Sequence, residues 1–200
     1  MPTYHYLLVF ALLFVYFALH SVLAADRVKR WFADRLGSHF RFYRLMYNVV
    51  AAVLLLLLLG WMFSRPAGFL FEKNVWTYGV AFVLLAPGAW LGLASLRQYD
   101  LGEFTGTQQM KRKIATPDHS TLNTSGVNAL VRHPLYLATL LILAGFFFVY
   151  PKISALVLLA SVLLYLPFGI YYEEKKLRLQ FGQAYLDYEK QVKRLIPGVW

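Results

Sequence analysis

Five apolar runs divide the chain: Tyr4–Ala25, Phe42–Phe63, Val75–Leu96, Leu135–Tyr150 and Ile153–Tyr172. Crossing the hydrocarbon core takes about 20 helical residues, with a range of roughly 17–25. Four runs are long enough and the fourth is short. Pro151-Lys152 separates it from the fifth, which predicts a tight helical hairpin whose first arm the segment around Val127–Arg132 can complete. Ala24-Ala25 offers a small-residue cleavage site after the first run. No Lys or Arg precedes that run, however, its apolar stretch is long and a basic segment follows it, so a retained helix is expected rather than a signal peptide.

Two runs are interrupted, by Pro87-Gly88 and by Pro167 with Gly169. Such breaks are tolerated where neighbours satisfy the freed carbonyls, either as simple kinks or beside a cavity. Trp31, Trp61, Trp76, Tyr171 and Tyr172 lie at run ends, as an interfacial aromatic belt requires. Beyond the last run, Leu177, Phe181, Tyr185, Tyr188, Val192 and Leu195 recur at the helical period. The tail from Glu173 to Leu195 therefore predicts an amphipathic helix, either lying on the membrane surface or closing over a cytoplasmic pocket.

Composition decides the solvent. Hydrophobic residues make up 59% of the 200, against about 45–50% in soluble domains even when glycine is counted. One soluble core cannot hide that surface, so the bilayer takes part of it. The expected fold is all-α: a polytopic membrane bundle of about five transmembrane helices with a cytoplasmic C-terminal amphipathic helix. Residues 1–96 would form a three-helix region and 97–200 the chemistry-bearing region of one structural domain. With no cysteine, disulfides, thiol nucleophiles and cysteine-ligated metals are excluded, and no metal site is assigned.

Charge sets the expected topology. The net charge is +10. Arg27, Lys29, Arg30, Arg35, Arg41 and Arg44 follow the first run; Arg97, Lys111, Arg112, Lys113 and Arg132 follow the third; Lys175, Lys176, Arg178, Lys190, Lys193 and Arg194 follow the fifth. Only Arg65, Lys73 and Lys152 fall on the opposite side. The positive-inside rule then puts the N-terminus outside and the C-terminus in the cytoplasm. The basic segments are expected to meet anionic lipid headgroups. No nucleic-acid-reading module is present, so nucleic acid is not an expected partner.

The segment Thr121-Leu-Asn-Thr-Ser-Gly-Val-Asn-Ala-Leu-Val-Arg-His-Pro-Leu-Tyr136 departs from this apolar pattern. Pro134 suits a first helical turn, which puts Arg132 and His133 at the positive end of a helix, a place to hold a carboxylate. Glu173-Glu174 at the end of the fifth run are ionisable residues at a membrane boundary, costly unless solvated or paired. Adjacent helical positions point about 100° apart, so the two carboxylates have different roles.

Arg132-His-Pro-Leu-Tyr136, then Glu173-Glu174, Phe181-Gly182, Tyr185 and Tyr188, with the lead-in Thr121–Val127, resembles the C-terminal half of isoprenylcysteine carboxyl methyltransferases. The resemblance covers about residues 97–197. It implies S-adenosylmethionine bound at the cytoplasmic ends of the last helices, beneath the C-terminal segment. Position by position, the implied cofactor contacts are Ser120, Thr121, Leu122, Asn123, Asn128, His133, Pro134, Leu135, Tyr136 and Glu173, although Asn128 stands where that family often has Tyr. Arg132 and Glu174 are the candidates for orienting the acceptor.

One departure bears on the acceptor. The prenylcysteine enzymes carry an Arg four residues before the first Glu, where this chain has Gly169. Bacterial membrane methanethiol S-methyltransferases lack that Arg and also resemble this sequence at His20-Ser21 and from Tyr99-Asp100-Leu101 through Gly106-Thr-Gln-Gln109. This second resemblance implies a bacterial cytoplasmic membrane protein acting on a thiol or another small lipophilic molecule. Two rivals stand beside it. Sterol-type membrane reductases share a related C-terminal architecture and use NADPH, and part of the N-terminal half resembles nitrite-reduction accessory membrane proteins.

Overall fold

The computed structural model describes residues 3–98, 102, 105, 107 and 121–199. Among these, the only β-type pairing is an isolated bridge between Phe69 and Lys152. They form two compact units: 3–66 with 102, 105 and 107, and 67–98 with 121–199.

The first unit contains α1 (Thr3–Ala24), α2 (Asp26–Leu36), a 3-10 segment (Gly37–Phe42) and α3 (Tyr43–Phe63). The apolar helices α1 and α3 have 22 and 21 residues, about 32 Å each at 1.5 Å per residue and enough to span. Tyrosines link them: the Tyr16 hydroxyl donates to the Ala51 carbonyl at 3.1 Å, and Tyr43 donates to the Leu23 carbonyl at 2.9 Å. Helix α2 is not expected from the apolar runs, because it is too short and too charged to form one. Asp26 in its first turn and Arg35 in its last favour the helix dipole. The Arg35 guanidinium lies 3.7 Å from the centre of the Trp31 ring.

The second unit holds α4 (Val75–Gln98), a 3-10 turn (Gly126–Ala129), α5 (Pro134–Val149), α6 (Ile153–Phe181) and α7 (Gln183–Gln191). Asn74 starts α4 by accepting from the backbone N–H groups of Trp76 and Thr77, at 3.0 and 3.1 Å. The sequence grouped the third run with the N-terminal helices, but α4 packs on α5. Contact is made by small residues, as in membrane bundles, where van der Waals fit rather than the hydrophobic effect joins helices. A Cβ on Gly88 would lie 3.0 Å from Leu141 Cβ, one on Gly92 would lie 3.6 Å from Ala138 Cβ, and one on Gly145 would lie 2.6 Å from Leu85 Cγ. Gly88 thus serves packing, and α4 continues through Pro87.

Helix α5 has 16 residues, about 24 Å against a hydrocarbon core of about 30 Å. The preceding segment does not lengthen it. His133 has φ −123° and ψ 63°, because a following proline disfavours helical geometry; Val127–Ala129 belong to a separate 3-10 turn. Among the described residues, four helices are therefore of spanning length and composition, and α5 is a shorter apolar one. The hairpin after α5 turns at Pro151, whose carbonyl accepts from Leu70 N at 2.7 Å.

Helix α6 has 29 residues, about 43 Å, so its charged end beyond Tyr172 projects past the hydrocarbon. Gly182, with φ +56°, stops it, a backbone state that suits glycine. The tail is thus not one helix. After α7, an extended strap runs back over the start of α5 and seats Leu195 against Leu166 and Ile170. Tyr185, Tyr188 and Leu195 are buried. The tail packs on the protein as a cover instead of lying free on a surface.

Packing through glycine gives a direct test. Gly145→Ala should lower the melting temperature of the detergent-solubilised protein, since overpacking costs about 1–3 kcal/mol. Gly79→Ala in the same helix pair, with nothing within 4 Å of its Cβ position, should leave it unchanged or slightly raised. Equal effects from both would remove the close-packing account.

Candidate functional site

The hairpin register brings residues about forty positions apart face to face. Glu174 is the centre: its side chain is 1% exposed. Its Oε1 accepts from Arg132 Nε at 2.9 Å and Nη2 at 2.6 Å, and lies 3.3 Å from His133 Nε2. Its Oε2 accepts from Arg194 Nε at 3.1 Å and lies 3.7 Å from Arg178 Nη2.

Arg132 does more than neutralise a charge. Its Nη1 donates to the carbonyls of Glu189 and Val192, at 3.2 and 2.5 Å. The backbone repeats the connection, with Arg132 N donating to Lys193 O at 2.8 Å and His133 N to Arg194 O at 3.0 Å. Tyr188 adds a bond from its hydroxyl to the Asn128 carbonyl at 2.6 Å. Arg178 and Glu189 form a two-pronged pair at 2.8 and 3.1 Å, joining α6 to α7. The strap is thus tied to the segment before α5 by side chain and backbone alike.

His133 sits between two carboxylates, Glu174 on Nε2 and Glu173 Oε2 at 3.6 Å from Nδ1, and its ring stacks on Tyr136 at 15° between planes. Burial alone would lower its pKa, but Glu173 and Glu174 outweigh that and hold it above its ordinary value. Burial pushes the Glu174 carboxyl up, yet hydrogen bonds from His133 and Arg132 and the charges of Arg132 and Arg194 bring it to about 2. Glu173 also ends below the ordinary range, with burial opposed by His133 and by a hydrogen bond from Tyr136. Burial, with the Glu174 charge beside it, raises the Tyr185 phenol.

The two carboxylates differ as the helix geometry predicts. Glu174 is enclosed, whereas the Glu173 side chain is 40% exposed while its Oε2 is buried without a hydrogen bond. An open carboxylate with a spare acceptor beside a stacked His–Tyr pair suits a cationic, hydroxyl-bearing molecule such as a sulfonium nucleoside. Among the sequence candidates, the structure groups His133, Tyr136 and Glu173, with Pro134 buried beside them. Leu135 and Leu122 are half-buried and Thr121 is exposed. Asn123 and Asn128 brace the loop: Asn128 Nδ2 donates to Asn123 O at 3.0 Å, and Asn123 Oδ1 accepts from Ser125 N at 3.0 Å. Ser120 lies outside the described residues, as do Tyr99–Leu101 and most of Gly106–Gln109. Gly169 lies one turn before Glu173, where a Cβ would meet only Tyr165, at 3.7 Å.

Sequence reasoning did not place Arg178, Glu189 or Arg194 in this cluster. The four-residue step from Glu174 to Arg178 is a readable signal. The other two depend on the chain reversing at Gly182.

Residues 7–197 match the family model described as NnrU protein. The chain is 34% identical to methanethiol S-methyltransferase 2 of Bradyrhizobium diazoefficiens, over 97% of this chain and 74% of that protein. It is 29% identical to methanethiol S-methyltransferase 1 of the same organism, over 89% and 62% respectively. It is 28% identical to methanethiol S-methyltransferase of Pseudomonas deceptionensis, over 96% and 73%. No solved structure matches.

The ion cluster has a pH signature. His133, raised above 6.5, stabilises the fold fully below its unfolded pKa, and this is lost as pH rises through the folded value. Glu174, lowered from 4.5 to about 2, contributes above pH 4.5 and loses its contribution as pH falls toward 2. The melting temperature should therefore be highest between these limits and decline on the alkaline side. In His133→Asn the alkaline decline should flatten; an alkaline limb identical to wild type would mean that His133 does not carry it.

Proposed function

The chain belongs to the NnrU protein family, with methanethiol S-methyltransferases among its relatives, and from that membership we propose that it is an integral membrane methyltransferase moving a methyl group from S-adenosylmethionine to a small or lipophilic thiol. The observation that carries the reading is 34% identity to a methanethiol S-methyltransferase across 97% of the chain. The apolar helices support a membrane setting. The reductase and accessory-protein readings are not favoured, because these curated relatives carry a methyltransferase name.

When bound, the donor supplies an electrophilic methyl group on a sulfonium centre. The residues then divide their work. His133, Tyr136 and Glu173 hold the donor: Glu173 offers a carboxylate against positive charge, and Tyr136 and His133 offer stacked ring faces. His133, whose pKa two carboxylates raise, is held between them to orient groups. Thr121, Leu122, Asn123, Asn128 and Leu135 line the approach, with Ser120 next in sequence. Arg132 and Glu174 are positioning residues that keep the strap closed and water out, so that alignment of donor and acceptor lowers the barrier. The acceptor sulfur forms the new S–C bond as the donor's S–C bond breaks, and its proton passes to solvent. A thiol with a pKa near 8.5 supplies about a few per cent of thiolate at neutral pH, enough to react without a dedicated base or a cationic partner.

Gly169 supports a thiol over a carboxylate. A buried carboxylate without a cationic partner costs about 3–5 kcal/mol, a hundredfold or more in affinity. Arg132 is committed to Glu174 and two carbonyls and does not substitute. The proposed topology puts the C-terminus in the cytoplasm, following the seventeen-to-three distribution of Lys and Arg.

Three outcomes test this reading. Calorimetry should show S-adenosylmethionine binding that is weakened about tenfold or more in His133→Ala and in Glu173→Ala, with melting still cooperative; wild-type affinity in both would remove the site assignment. With labelled donor, a small thiol should be methylated, and a farnesylcysteine analogue should react at least a hundredfold more slowly. Rapid turnover of the farnesylcysteine with no thiol methylated would return the acceptor to the carboxylate class. Single cysteines placed at Thr124 and at Gln191 in the cysteine-free chain should resist an impermeant reagent outside intact cells, and labelling of either would invert the topology.

A further inference from the structure

The strap, α6 and α7 border a second feature, an open cleft on the far side of Arg132 from the proposed donor contacts. A cavity of about 240 Å³ is lined by Arg132, Arg178, Glu189, Lys193, Arg194 and Val199. It shares no residue with the cofactor candidates. Four of its six lining residues are cationic and one is anionic. Glu174, in contact with three of the guanidiniums, adds a second negative charge. Four cations thus face two carboxylates, an excess of two positive charges.

Three of these cations are held in place. Arg132 is fixed by two carbonyls and Glu174, Arg178 by both oxygens of Glu189, and Arg194 by Glu174 Oε2 at 3.1 Å. Lys193 differs: its ammonium has no carboxylate partner among the described residues. Lys193 is exposed at the mouth of the cleft, where its ammonium can meet an arriving anion, and like charges gathered in a cleft raise the local anion concentration. Planar guanidiniums with a nearby ammonium are the donors that recognise phosphoryl oxygens.

We propose that this cavity, between the C-terminal strap and the charged end of α6, binds a phosphoryl oxyanion, supplied by an anionic lipid headgroup or by free phosphate. A phosphate carrying about 1.5–2 negative charges at neutral pH matches the excess. Bound there, it would join Lys193 and Arg194 of the strap to Arg178 of α6 and Arg132 before α5. Occupancy therefore tightens the cover over the donor site without contacting it. The proposal is independent of the methyl acceptor and of the donor.

The test uses the full chain with no methyl donor present. Inorganic phosphate is titrated calorimetrically into detergent-solubilised protein at constant ionic strength. Thermal unfolding is compared in nanodiscs of phosphatidylglycerol and of phosphatidylcholine. Lys193→Ala and Lys193→Glu are the variants, since Lys193 is exposed and neither change disturbs the buried cluster. Saturable phosphate binding, weakened on the order of tenfold by Lys193→Ala and lost in Lys193→Glu, assigns the site to free phosphate; one charge-assisted contact has that magnitude. No binding of free phosphate, with a phosphatidylglycerol-dependent rise in melting temperature that Lys193→Glu abolishes, assigns it to a headgroup. Absence of both effects, or effects of equal size in Lys193→Glu, overturns the proposal.

Discussion

Everything at the charged end of the second unit depends on burying one carboxylate. Glu174 has 1% of its side chain exposed, and leaving such a charge unpaired costs several kcal/mol. Its partners come from three separated places: Arg132 and His133 before α5, Arg178 on α6 itself, and Arg194 on the strap. None of these segments can leave without stranding the others. The requirement to satisfy Glu174 thus forces the chain to reverse at Gly182 and return across the start of α5. The same reversal brings the strap alongside Arg132 and His133 at the start of α5.

The cluster forms at that level because of how the hairpin is built. Pro134 prevents α5 from starting earlier, so this arm has only 16 residues. Helix α6 starts two residues after the Pro151 turn and stays apolar through Tyr172. The short arm therefore ends opposite the first charged turn of the long one, and His133 meets Glu173 and Glu174 rather than apolar α6 residues. Glycines at the α4–α5 contact stiffen the short arm from its other side: in lipid, with no hydrophobic drive between helices, close backbone approach is the remaining source of cohesion. A helix too short to be anchored by length is held by fit.

Much of this was legible in the residues, for reasons that also mark where legibility ends. Apolar run length gives spanning helices because the bilayer thickness is fixed, and Pro134 at a helix start follows from its missing N–H. The different surroundings of Glu173 and Glu174 followed from the 100° step alone. The tail misled because Leu177 through Leu195 keep the helical spacing across Gly182, and periodicity does not register one residue's positive φ. Arg194 and Glu189 were beyond reach for the same reason, since their partners exist only after the reversal. Helix α2 went unread because it is too short and too charged to form an apolar run, although Val28, Trp31, Phe32 and Leu36 repeat at the helical period. The extension of α5 into Val127–Arg132 failed on a rule that was available, the restriction that proline imposes on its predecessor.

The same commitments bear on the proposed acceptor. A cation able to compensate an incoming carboxylate must be near and uncommitted. Arg132 is near, but its removal would take two hydrogen bonds from Glu174 and leave the half-buried carbonyls of Glu189 and Val192 without their donor. Those losses exceed what one new ion pair returns, because the existing contacts are already desolvated and aligned. His133 is likewise held by two carboxylates that it cannot leave. With Gly169 contributing no charge, neither Arg132 nor His133 is available to partner a carboxylate acceptor. A neutral thiol needs none: it loses little on leaving water and acquires charge only on ionising. Where the arginines are employed in holding the cover, that is the chemistry with the lowest entry cost.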